Sequence, residues 1–170
     1  MSDLDGPPLG FVGGWIPWNT TVGYSEKALV ILRWAEVFPK GLLFSLHTRF
    51  NPRASNMQGV WSERRARPNL GSESGLRLVV QFPDGRSTAR SDDPHRQTLG
   101  AIGSNEPILV FQGGATSKFE SKLAIWLSPL PPPGPLSWRV SWPQLDVLDT
   151  ITVTDLSDLT QRVAQAHPIW

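Results

Sequence analysis

The chain has 170 residues and a formal net charge of +1, with sixteen Pro, fifteen Gly, eight Trp, seven Phe and no Cys. Its length suits one domain around a single core, and the absence of Cys excludes disulfides, thiolate metal sites and a Cys nucleophile. The near-neutral balance excludes a general electrostatic pull toward nucleic acid or an anionic membrane.

Residues 1–24 are rich in Gly and Pro and carry Trp15, Ile16 and Trp18. They read as an N-terminal arm docked by its two tryptophans, leaving 25–170 as one β-domain. The opening "MSDLDGPPLG" lacks the basic and apolar regions of a signal peptide. No apolar run approaches the ~18 residues of a membrane span, so the expected setting is cytoplasmic.

"EKALVILRWAEVFPKGLLFSLHTRF" reads as two strands around a turn at Pro39-Lys40-Gly41, where Pro presets one φ and Gly supplies the unusual one. Trp34 shares parity with Val30 and Leu32 and is assigned to the core. After the turn Leu42, Phe44, Leu46 and Phe50 share one face, and Ser45, His47 and Arg49 the other, as in a half-buried strand. Residues 51–74 form a long loop carrying Arg53, Trp61, Arg64, Arg65 and Arg67; a connection of that length is either functional or mobile. In "GLRLVVQFPDGR", Leu76, Leu78, Val80 and Phe82 align, and Asp84-Gly85 marks a tight turn.

A polar stretch, 90–106, leads to the short apolar strand "PILVFQGG". The segment "AIWLSPLPPPGPLSWRVSW", 124–142, then sets a proline run between two strands. Leu123, Ile125 and Leu127 form one face before it, and Leu136, Trp138, Val140 and Trp142 one face after it. Proline cannot donate a ladder hydrogen bond and so ends each strand, which makes the run a rigid corner rather than a polyproline ligand. "DTITVT" is a last strand. Leu156, Leu159, Val163 and Ala166 then recur at helical spacing, predicting a helix at about 155–166 capped by Thr154 or Asp155.

Seven to nine strands with regular turn signals and no intervening helices predict an all-β antiparallel sandwich, immunoglobulin-like in build, with a short C-terminal helix. Three segments also resemble an uncharacterised family common in actinobacteria: "AEVFPKGLLFSLHTRF", "LRLVVQFPDGR" and the stretch from "ILVFQGGATS" through "WLSPLPPPGPLSWRVSWPQL". The family's signature is W-x-W-P-L-P-P-P-G-P-L. Here Ser128 stands at the second Trp, and Ser141 precedes Trp142 where an acid is usual. The resemblance covers roughly residues 28–145 and implies fold and setting but no activity.

No nucleophile elbow, P-loop, H-E-x-x-H or EF-hand loop is present. Asp92, Asp93 and His95 are the one local set of metal-capable side chains, and the spacing matches no familiar site. Arg64, Arg65 and Arg67 beside Trp61 suit phosphate contact with base stacking, but without a wider basic face the expectation is a solvated loop. Trp126 has the opposite parity from Leu123, Ile125 and Leu127. It is therefore either exposed, as an interface or sugar-stacking residue, or covered by the arm or the C-terminal helix.

The expected function is a non-enzymatic protein-interaction module, binding a protein partner or a second copy of itself, with no cofactor, nucleic acid or membrane. A small-ligand or carbohydrate binder using Trp126 is one alternative. An enzyme built on Asp92, Asp93 and His95 is another.

Overall fold

A computed structural model describes residues 6–54, 75–88 and 105–170. Eleven strands are found there: β1 (Phe11–Val12), β2 (Gly14–Ile16), β3 (Thr20–Tyr24), β4 (Ala28–Phe38), β5 (Gly41–Phe50), β6 (Arg77–Gln81), β7 (Ile108–Thr116), β8 (Glu120–Ser128), β9 (Pro135–Trp142), β10 (Val147–Asp155) and β11 (His167–Pro168). A 3-10 turn spans Pro143–Leu145, and one α-helix, α1, spans Leu159–Ala164. Among the described residues no helix is long and apolar enough to cross a membrane.

The strands form two antiparallel sheets and a small ribbon. The larger sheet runs β2-β4-β5-β8-β7, with β3 also paired to β4. The smaller runs β10-β9-β6, and the ribbon pairs β1 with β11. The inner faces of the two sheets meet in one apolar core built from alternate residues: Leu42, Phe44 and Leu46 on β5, Leu123, Ile125 and Leu127 on β8, and Leu136, Trp138 and Val140 on β9. Period-two alternation is what a sheet with one dry face requires. At the centre the rings of Phe44 and Trp138 meet edge to face, 4.9 Å between centroids, and Trp138 Nε1 donates to Thr154 Oγ1 at 2.8 Å. A buried indole N–H needs such an acceptor.

The proline run occupies the corner expected of it. β8 ends at Ser128 in one sheet and β9 begins at Pro135 in the other, with Leu130 packed on the core and Gly134 at a φ of 136° that side chains rarely adopt.

Several local expectations are corrected. Trp34 is not a core residue. The β4–β5 register slips between Leu32 and Trp34, so inward parity passes from Val30 and Leu32 to Ala35 and Val37, and Arg33 is the extra residue of a β-bulge. Gly41 has no left-handed φ. Its need is space: a Cβ there would lie 2.5 Å from both the Leu127 carbonyl oxygen and the Trp126 ring. Ser45, expected on a wet face, is buried. The helix begins later than predicted because Thr154 and Asp155 still belong to β10. Thr154 is engaged by Trp138, while the Asp155 carboxylate accepts from Ser157 N at 2.9 Å in the turn before the helix.

Residues of the N-terminal stretch lie against the sheets through tryptophans and also through strands. Trp18 packs edge-on against Trp138 at 5.4 Å, and Trp15 stacks on Trp34 at 5.1 Å. β2 and β3 extend the larger sheet past β4. Arg162 on α1 donates to the Trp15 carbonyl at 2.9 Å and pairs with Asp158 one turn earlier, fixing the helix on β2.

Candidate interaction surface

The sequence-based site residues fare unequally. Trp126 is fully buried, so its exposure, and with it the indole platform for a sugar, is overturned. The physical reason is a cover supplied from far along the chain. Trp126 faces outward from the larger sheet, opposite Leu43 and Val110, and its ring lies 5.8 Å from that of Phe38. Gly13 of the arm is so close to Phe38 that a Cβ would come within 2.9 Å of the ring, and Gly6 is equally close to Gln112 on β7. The arm thus passes across the outer face of this sheet from β7 toward β4. Among the described residues no acceptor reaches Trp126 Nε1.

Trp61, Arg64, Arg65 and Arg67 lie outside the described residues, as do Asp92, Asp93 and His95. Among the described residues no three His, Asp or Glu side chains gather as metal ligands would. His47 sits on the outer face of β5 opposite Lys122. Burial, then the charges of Lys122 and Arg33, hold its pKa below the ordinary histidine value, with Glu120 acting in the other direction. Among the described residues this is a charged sheet face, with Lys122 and Glu120 paired at 2.9 Å.

The feature that stands out is apolar. Strand β1 pairs with β11 in a two-stranded ribbon, Phe11 opposite Pro168 and Val12 opposite His167. Ile169 N donates to the Gly10 carbonyl at 2.8 Å, extending the ladder, and the Trp170 indole lies beside Gly10. Leu9 is 88% exposed and Trp170 92%, and Phe11, Val12 and Ile169 also stand in solvent. Five large apolar side chains are therefore concentrated on two short paired segments. The register sets Phe11 with Pro168 on one face and Val12 with Ile169 on the other. Apolar side chains left in solvent on both faces of a ribbon suit an interaction surface, where aromatic residues dominate the energetics.

Sequence reading missed this ribbon because neither segment alternates over enough residues to read as a strand, and their pairing joins positions at opposite ends of the sequence. The one local signal was the concentration of large apolar residues in turn-rich stretches. Comparison with family models, with curated proteins and with solved structures found no match to this chain.

Proposed function

We propose that the protein is a non-enzymatic, immunoglobulin-like β-sandwich in a cytoplasmic setting, and that it binds a protein partner through the β1–β11 ribbon. The observation that carries this reading is the clustering of Leu9, Phe11, Val12, Ile169 and Trp170 in solvent on one paired element. Burying such side chains against a partner releases roughly 25 cal/mol per Å² of apolar surface.

The order of the strands supports the immunoglobulin-like part. In a constant-type sandwich, strands A-B-E-D form one sheet and G-F-C the other. Taking β4 as A and proceeding in chain order, β4-β5-β8-β7 and β10-β9-β6 follow that order strand for strand, all antiparallel. Antibody domains link strands B and F with a disulfide. This chain has no Cys, and the corresponding strands β5 and β9 meet through the Phe44–Trp138 aromatic contact. The resemblance of the proline-rich segment to the actinobacterial family adds membership in that family to the proposal.

The test is affinity capture from the native cell with the wild-type chain and with Phe11→Asp and Ile169→Asp. A partner held by the wild type and released by both variants supports the reading, provided hydrogen exchange shows residues 9–12 and 167–170 protected in the purified complex. Equal capture by all three proteins, or protection elsewhere, refutes the ribbon as the binding surface.

A further inference from the structure

Away from the ribbon, the outer face of the smaller sheet carries a second apolar surface, set among charges of both signs. Counting from the buried residues Val80, Trp138 and Val140, the alternate positions of β6, β9 and β10 turn outward. Val79, Arg139 and Ile151 lie side by side in one row. Val153 is the next outward residue of β10, and Arg77 lies at the other end of β6, level with Ser141. Ile151 is 65% exposed and Val153 57%. The Arg139 guanidinium grips Asp149 with Nε and Nη2 at 2.8 and 2.6 Å, which draws Asp149 onto this face at the same end as Arg77.

We propose that this face packs against the same face of a second copy of the chain, about a two-fold axis running along β9. Such an axis lays β10 of one copy over β6 of the other. Ile151 then meets Val79, and Asp149 meets Arg77, each contact occurring twice by symmetry. A surface must be self-complementary to form an isologous dimer, and here Ile151 faces Val79 and the acid faces the base, while Val153 comes level with the amide of Gln81. Arg139 falls near the axis, where two like charges would oppose one another, but each is matched by its own Asp149. Sheets stacked face to face stand about 10 Å apart, within reach of these side chains. The residues involved are separate from the ribbon, so the two surfaces can be occupied at once.

Sedimentation velocity on the full chain, across a concentration series, tests the proposal. The wild type should show a reversible monomer–dimer equilibrium. Ile151→Lys should weaken association by about tenfold or more. Arg77→Glu, which sets an acid against Asp149, should weaken it less, and that loss should shrink as salt rises. Phe11→Asp on the ribbon should leave the dimer intact. Circular dichroism and urea unfolding establish that each variant is folded, and the milder Ile151→Thr serves in place of a variant that is not. A wild type that stays monomeric throughout the series overturns the proposal. So does a dimer indifferent to both sheet substitutions, or one abolished by Phe11→Asp alone.

Discussion

Trp138 and Trp126 are both fully buried, yet they sit in different environments. Trp138 lies between the two sheets, edge-on to Phe44 and to Trp18, with its N–H donated to Thr154. Trp126 lies on the outside of the larger sheet, where Phe38 and the arm's close passage over that face take the place of a second sheet. Its N–H meets no acceptor among the described residues. One site is closed by alternate residues of the surrounding strands together with Trp18. The other depends on an irregular segment, and a buried polar group is left over where that segment crosses. The contrast belongs to these two indoles and is not a rule of sheet packing, since Trp142 on β9, half-buried against the core, also has an Nε1 that meets no acceptor among the described residues.

The largest break in this comparison should come from Trp138→Ala, which should cost about 3–5 kcal/mol in urea unfolding, since it opens a cavity at the centre of the core. Gly41→Ala should cost about 1–3 kcal/mol by driving a methyl group into the Trp126 ring and the Leu127 carbonyl. Thr154→Val should cost a similar amount, about 1–3 kcal/mol, because it leaves the Trp138 N–H buried without an acceptor. Trp126→Phe beside Trp138→Phe sharpens the contrast: each shrinks a fully buried ring and opens a cavity, but only the second removes a hydrogen bond found among the described residues, so Trp138→Phe should cost about 1 kcal/mol more. Equal losses would mean that the two indoles are alike after all.

The smallest effect is a pH dependence at His47. Its folded pKa is lowered from the ordinary 6.5, first by burial and then by Lys122 and Arg33. Below that ordinary value the unfolded chain binds a proton that the folded chain resists. The contribution is therefore present above it and declines as pH falls toward the lowered folded value. In wild type the urea midpoint should drop slightly between pH about 7.5 and about 5.5, and His47→Gln should flatten that part of the profile. A profile unchanged by the substitution would remove His47 from the acid response.

The regular parts of the fold were legible from residue alternation alone. Leu42, Phe44 and Leu46, Leu123, Ile125 and Leu127, and Leu136, Trp138 and Val140 all point as their period-two spacing requires. What alternation could not show was any change of phase or any cover from elsewhere. The bulge at Arg33 moves Trp34 from the inner face to the outer with nothing in the residues around it to announce the slip. The burial of Trp126 involves Phe38 and Gly41, far earlier in the chain, with the arm passing close over Phe38. The ribbon is harder still, because Phe11 and Val12 become strand residues only by meeting His167 and Pro168. The outward row of Ile151 and Val153 was visible as a strand, but its exposure depends on what the rest of the fold lays against that side of the smaller sheet.

The ribbon also sets how the molecule responds to pulling. Phe11 pairs with Pro168 and Val12 with His167, so the two chain directions leave the ladder at the same end. Tension applied between them would peel the hydrogen bonds apart one after another, as a zipper opens, instead of loading them all at once. The first extension under force should therefore be soft, freeing the arm's outer residues while the paired sheets behind them still hold.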